Sequence, residues 1–109
     1  MKYNPTGLAH IGVPCADIHK TIDFYKEFGF EVTAIAENLN GFDVVMLQNG
    51  TCTIEAYHPL DEEINAKNMA RADGHVDHIA MWVDNLDDLY QECQDKGYEI
   101  VSDGIEHLD

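Results

Sequence analysis

Positive charge is what this chain has least of. Six of its 109 residues are Lys or Arg against 21 Asp or Glu, a formal net charge of −15. A surface that acidic repels phosphate backbones and anionic headgroups, which argues against nucleic acid and membrane partners. It attracts cations and disfavours polyanionic substrates; solubility alone is the plainer use of such acidity. Cysteine is scarce as well: Cys15, Cys52 and Cys93 lie far apart with no Cys-x-x-Cys spacing. Neither a disulfide framework nor a thiolate zinc site follows from them, and cytoplasmic residence fits. No apolar run is long enough to span a bilayer, and the opening MKYNPTGLAH has no apolar stretch of the secretory kind. Gly-x-Gly-x-x-Gly, P-loop, Gly-x-Ser-x-Gly and His-Glu-x-x-His patterns are missing. Hydrophobic residues at 45% and charged residues at 25% argue against disorder. The length suits one domain over residues 1–109 with a modest core, which a second copy would supplement.

What the chain does contain is an internal repeat. Displaced by 68 residues, His10 falls on His78, Ile11 on Ile79, Gly12 on Ala80 and Val13 on Met81. The same offset pairs Asp17 with Asn85, Ile18 with Leu86, Ile22 with Tyr90, Gly29 with Gly97, Phe30 with Tyr98 and Val32 with Ile100. A single ungapped offset over such a stretch implies two copies of one supersecondary unit.

The first copy, about 5–57, reads as βαβββ. Leu8 to Val13 alternates, with Ala9, Ile11 and Val13 opposite Leu8, His10 and Gly12. Asp17 suits the N-cap of a helix striped by Ile18, Ile22 and Tyr25, with Gly29 at its end. Strands follow at Phe30 to Ala36, Phe42 to Leu47 and Thr51 to Tyr57, the last two joined at Asn49-Gly50. A polar connector, 58–74, carries a short helix around Glu62 to Ala72. The second copy, about 75–109, begins with a strand from Val76 to Val83. Next comes a helix capped by Asp84 or Asn85 with Leu86, Leu89, Tyr90 and Cys93 inward, then a strand at Tyr98 to Ser102. Its last two strands are missing from the sequence. The expected fold is therefore α+β, tandem βαβββ repeats forming curved mixed sheets with helices outside, the second repeat truncated at the C-terminus.

His10 and His78 are equivalent positions of the two repeats, each beside a small residue (Gly12, Ala80) that leaves room over the sheet. A lone strand histidine is usually structural; two in related copies are brought together when the repeats fold on each other. Imidazole is the commonest neutral metal ligand. Glu55 shares the polar face of its strand with Thr53 and Tyr57. His10, Glu55 and His78 thus have the chemistry of a divalent metal site with open positions. The repeat mate of Glu55 would fall beyond Asp109. His19, His58, His75 and His107 read as surface residues, with a supporting place at the metal open to His58 and a substitute ligand role open to His107. Lys67 and Arg71, spaced i, i+4 in the connector, form the one clustered basic pair for an anionic substrate group, the alternative being a solvated face. Trp82, on the face of His78, lines a pocket or packs in the core.

These residues resemble the vicinal oxygen chelate superfamily, and glyoxalase I (lactoylglutathione lyase) within it. GLAHIGVPCADIHKTIDFYKEFGFEV is similar to that family's opening, Thr53-Ile54-Glu55-Ala56-Tyr57 to its first glutamate strand, and His78-Ile79-Ala80-Met81-Trp82-Val83-Asp84-Asn85 to its second-half motif. The resemblance implies His10, Glu55 and His78 as ligands of one divalent ion (Ni²⁺, Zn²⁺, Co²⁺, Mn²⁺ or Fe²⁺). It also implies Glu55 as the proton carrier and a small-molecule substrate. The incomplete second repeat leaves a strand edge that must be covered, which predicts a homodimer. The implied reaction is isomerisation of a 2-oxoaldehyde thiol hemithioacetal through an enediolate. A metal-free binding module of the bleomycin-resistance type, an extradiol dioxygenase and an epimerase are the alternatives on the same scaffold. The family's second glutamate has no counterpart in the sequence.

Overall fold

A computed structural model describes residues 2–72 and 77–106. His75, His107 and the expected strand start at Val76 lie outside the described residues. The elements run β1 (Pro5–Pro14), α1 (Ile18–Lys26), β2 (Glu31–Leu39), β3 (Phe42–Asn49), β4 (Cys52–Pro59), α2 (Glu62–Met69), β5 (His78–Val83) and α3 (Leu86–Asp95). The five strands form one mixed sheet in the order β2-β3-β4-β1-β5. The β2-β3-β4 meander is antiparallel, while β1 joins β4 in parallel. The expected βαβββ order of the first repeat is thus present, followed by the βα start of the second. The fold class is α+β. Among the described residues, no helix is long and apolar enough to cross a membrane.

The chain divides into two compact units, Ala9–Ala80 and the paired segments Met1–Leu8 and Met81–Asp109. In Ala9–Ala80, α1 packs against β2, β3 and β4. The Asp17 carboxylate accepts from the Lys20 amide at 3.1 Å and caps the helix, as its position in the sequence suggests. Ile18 and Ile22 are buried from α1 and meet Val45 and Leu47 of β3, Ala56 of β4 and Cys15, with Tyr25 and Phe30 at the margin. Strand alternation decides which residues join: Val45 and Leu47 face the helix and are fully buried, whereas Val44 and Met46 turn to the opposite face with Glu55 and Tyr57. Burial pushes the Cys15 thiol above its ordinary value, against a smaller opposing effect of the Thr21 hydrogen bond.

Two hairpin turns differ in how they use Asn-Gly. Between β2 and β3, Asn40 and Gly41 are the two turn residues, both with positive φ (52° and 90°), the demand of a type I′ turn. Between β3 and β4 the turn is Gly50-Thr51, and Asn49 is still paired with Cys52 in the ladder. Only Gly50 has positive φ there. The Asn49-Gly50 pair marks the turn but sits one residue earlier in it than a type I′ reading requires.

In the other unit, the Asn85 side chain accepts from the Asp88 amide at 3.1 Å and caps α3. Lys2 donates its backbone N–H to Glu92 at 2.9 Å, and Thr6 donates its hydroxyl to the Trp82 carbonyl at 3.3 Å. Leu89, Tyr90 and Cys93 are half-buried, but Leu86 is exposed and α3 has no buried residue. The expected strand at Tyr98 to Ser102 is not formed, and Val101 is 92% exposed. A β-prone segment becomes a strand only when a neighbouring ladder takes its backbone groups, and 98–101 have no such partner among the described residues.

Leu47→Ala should destabilise the chain by about 2–5 kcal/mol in denaturant unfolding, whereas Leu86→Ala should cost under ~1 kcal/mol. With a thiol-reactive chromogen, exposed Cys52 should react at once and buried Cys15 on unfolding. Because its pKa is raised by folding, Cys15 contributes stability that is present below pH 9.0, its ordinary value, and lost as pH climbs through the higher folded value.

Candidate metal centre

The centre lies within Ala9–Ala80 and is set by pairing register. In the parallel β1–β4 ladder Gly12 stands opposite Glu55. His10, two residues earlier on β1, shares Gly12's face by strand alternation. His78 opens β5. The three side chains converge: His10 Nε2 lies 3.2 Å from His78 Nε2 and 3.6 Å from Glu55 Oε2, and His78 Nε2 lies 3.2 Å from Glu55 Oε1. The imidazoles meet edge to face, with centroids 5.3 Å apart. All three residues are half-buried.

These separations fit one metal ion. Ligand bonds of about 2.1 Å put neighbouring donors about 3.0 Å apart at right angles and about 3.4 Å apart at tetrahedral angles. Two imidazole nitrogens and a carboxylate oxygen suit a borderline divalent ion with further positions open. Each of the three offers a ligand atom within 4.8 Å of the others.

Gly12 has a second task. A Cβ built on it falls onto the His78 ring, so the imidazole occupies the space a side chain would take. The room that a small residue leaves over this part of the sheet is filled by a protein side chain.

Behind His78 sits a carboxylate that face-by-face reading of the sequence passes over. Asp77 Oδ2 accepts from His78 Nδ1 at 2.6 Å. Its Oδ1 accepts from the Tyr57 hydroxyl at 2.5 Å and from Arg71 Nη1. Partial burial opposes ionisation of Asp77, but the bonds from Tyr57, Arg71 and His78 together hold its carboxyl below the ordinary value. Burial, then the hydrogen bond and negative charge of Asp77, push the Tyr57 hydroxyl up to about 12. Asp77 precedes the first residue of β5, so strand alternation does not send it to the face opposite His78. The signal in the sequence was a carboxylate immediately before a candidate ligand.

The remaining sequence candidates are dispersed. α2 ends at Met69, short of the expected Ala72, and Arg71 lies beyond it, its guanidinium on Asp77. Lys67 is exposed in the last helical turn. The two therefore do not form a helical i, i+4 pair, because the helix is already capped at Ala70. Trp82 belongs to the other unit and is 63% exposed. His58 donates from Nδ1 to the Cys15 carbonyl at 3.0 Å, tying β4 to the end of β1, and His19 is exposed on α1.

A five-stranded mixed sheet carrying two histidines and a glutamate from repeated strand positions defines a class, and comparison with known proteins agrees with it. The family model of the Glyoxalase/Bleomycin resistance protein/Dioxygenase superfamily matches residues 6–108. The chain belongs to that family, the vicinal oxygen chelate superfamily. Its structure is similar to that of methylmalonyl-CoA epimerase from Mycobacterium tuberculosis, with TM-score 0.76 and 25% identity over 91% of this chain and 69% of the other. It is also similar to a hypothetical protein from Bacillus halodurans C-125, with TM-score 0.70 and 26% identity over 88% and 72% of the two chains. No curated protein matches the sequence. Members of the superfamily typically bind a divalent metal.

Gly12→Ala tests the packing at the centre. The added methyl should displace the His78 ring and weaken Co²⁺ or Zn²⁺ binding by at least about tenfold, with metal-free circular dichroism unchanged. Calorimetric titration reads the affinity, and a drop of about 1.4 kcal/mol in binding free energy is one such factor.

Proposed function

We propose that the chain is a metal-dependent enzyme of the glyoxalase I type, a lyase/isomerase acting on the thiol hemithioacetal of a 2-oxoaldehyde. The observation that supports this is the convergence of His10 Nε2, His78 Nε2 and the Glu55 carboxylate within 3.2–3.6 Å of one another. His10 and His78 are the neutral ligands and Glu55 the anionic one, for Ni²⁺, Zn²⁺, Co²⁺, Mn²⁺ or Fe²⁺. When bound, the ion supplies Lewis acidity to the substrate oxygens and lowers the cost of negative charge on them.

The chain's own part is to move a proton. Glu55 takes the hydrogen from the carbon bearing the hydroxyl and sulfur and delivers it to the neighbouring carbonyl carbon. One C–H bond breaks and one forms, and the proton of the original hydroxyl passes to the old carbonyl oxygen, so one O–H bond also breaks and one forms. The hydroxyl carbon becomes the thioester carbonyl, the old carbonyl becomes the new alcohol, and no external oxidant or reductant is consumed. Among the described residues Glu55 is the carboxylate that meets both histidines. One carboxylate serves a shift between adjacent carbons on one side of the substrate. Inversion at a single carbon needs delivery from the opposite side.

Epimerisation of a 2-acyl thioester is the second reading, favoured by the likeness to methylmalonyl-CoA epimerase. It shares the first half of the chemistry, proton removal beside a carbonyl. The net charge of −15 weighs against a polyphosphorylated carrier, and Arg71, one of the few cations, is committed to Asp77. A homodimer belongs to the same proposal. Ile79, Met81 and Trp82 of β5 are all more than half exposed, and apolar strand residues in water are the usual material of an interface.

Metal analysis of the purified protein, followed by parallel assays with a methylglyoxal hemithioacetal and with methylmalonyl-CoA in deuterated water, tests the proposal. Chelation should abolish turnover and a divalent ion should restore it. Glu55→Gln should keep part of the metal affinity and lose on the order of 10²–10⁴ in kcat. Full turnover in that variant would show that the proton travels by another residue. Sedimentation velocity at micromolar concentration should show a dimer.

A further inference from the structure

We infer that Asp77 is the positioning residue of the metal centre: it fixes His78 with its proton on Nδ1 and so leaves Nε2 free to face Glu55 and His10. The inference rests on the metal-centre reading above and adds to it the group that prepares one of the two histidines.

The argument is one of donors and acceptors. An ionised carboxylate only accepts, so the 2.6 Å contact between Asp77 Oδ2 and His78 Nδ1 requires the proton to be on the ring nitrogen. In a neutral imidazole the other nitrogen then carries the lone pair, and that nitrogen is Nε2, 3.2 Å from Glu55 and from His10. The Asp77 carboxylate is in turn held in place. The Tyr57 hydroxyl and the Arg71 guanidinium both donate to Oδ1, from β4 and from the segment after α2. Its side chain is only 8% exposed. Tyr57 stands two residues from Glu55 on the same face of β4, so the strand that supplies the carboxylate ligand also braces the support of the histidine ligand. The ring is confined from below as well, since it lies on Gly12. His78 is thus held in orientation with a proton on Nδ1, the tautomer that ligation through Nε2 needs. His10 has no comparable partner on Nδ1 among the described residues; its recorded contacts, to His78 and Glu55, all run through Nε2. The two histidines, equivalent in the sequence repeat, are unequal as ligands: His78 is preorganised and His10 adapts. A carboxylate behind a metal-bound imidazole also raises its basicity, and loss of such a partner typically weakens binding by about 10–100-fold.

The test uses the full chain, Asp77→Ala and Asp77→Asn, with Zn²⁺ as the probe. Asn keeps an oxygen that accepts from Nδ1, so it should retain more affinity than Ala. In competition against a chromophoric chelator, Asp77→Ala should bind Zn²⁺ about 10–100-fold more weakly than the wild type, with Asp77→Asn between them. Two-bond ¹⁵N–¹H spectra of the metal-free protein, recorded at about pH 9, well above the ordinary imidazole value of about 6.5, read the tautomer directly. His78 should carry its proton on Nδ1 in the wild type and shift toward Nε2 in Asp77→Ala, a change that loss of packing alone does not produce. Wild-type His78 protonated on Nε2, or equal Zn²⁺ affinity of wild type and Asp77→Ala, overturns the inference. Should Asp77→Ala fail to fold, the Asp77→Asn affinity and the wild-type spectrum decide it. A wild type that takes up no Zn²⁺ overturns the metal-centre reading, and with it any role of Asp77 in ligation.

Discussion

In the parallel pairing of β1 with β4, Gly12 stands opposite Glu55, and the proposed metal centre hangs on that register. Side chains alternate along a strand, so a slip by one residue would turn Glu55 toward α1 and bring Ile54 or Ala56 to the open face. What holds the register is on the other side of the sheet. Ala56 fits among Val45, Leu47, Ile18 and Ile22, and no polar residue would be tolerated there. The buried face therefore locates the functional face. The backbone bond from Cys15 to the Tyr57 carbonyl, 2.8 Å, and the His58 bond to the Cys15 carbonyl close the ladder at its far end.

The sequence carried much of this. Hydrophobic periodicity and caps located α1 and α3, with Asp17 as one N-cap and Asn85 as one of two candidates for the other, while α2 was legible only as a short helix in a polar connector. The 68-residue repeat put His10 and His78 in equivalent places, and alternation on β4 put Glu55 on the face away from the core. These features are local, or repeat at a fixed interval, and so can be read in one dimension. Asp77 cannot. Its partners Tyr57, Arg71 and His78 come from separate segments, and nothing in their spacing announces that they share one carboxylate. Arg71 illustrates the same limit from the other side. Its i, i+4 relation to Lys67 has meaning only inside a helix, and the helix stops at Met69. For 98–101, propensity favoured a strand, but a strand also needs a neighbour, which no local pattern supplies.

Charge and site are coupled in this molecule. With 21 acidic residues against six basic ones, the long-range field draws divalent cations toward the protein whatever their final ligands. Selectivity at the proposed centre would fall to its short-range geometry, two imidazoles and one carboxylate, because field strength alone does not distinguish one divalent ion from another. The same field reduces the local concentration of anionic substrates, which sets a bound on the substrate class that the fold family by itself does not.

Gly12 links the site to the way such families diverge. A single base change in a glycine codon gives alanine, and the methyl group it adds would meet the His78 ring while leaving the helix-packed face of the sheet as it was. That one step would displace the proposed ligand His78 and keep an intact, acidic scaffold. A form of this chain with the proposed His78 ligand in place and one without it need not be separated by a long evolutionary path. At position 12 the two forms would be neighbours in sequence space.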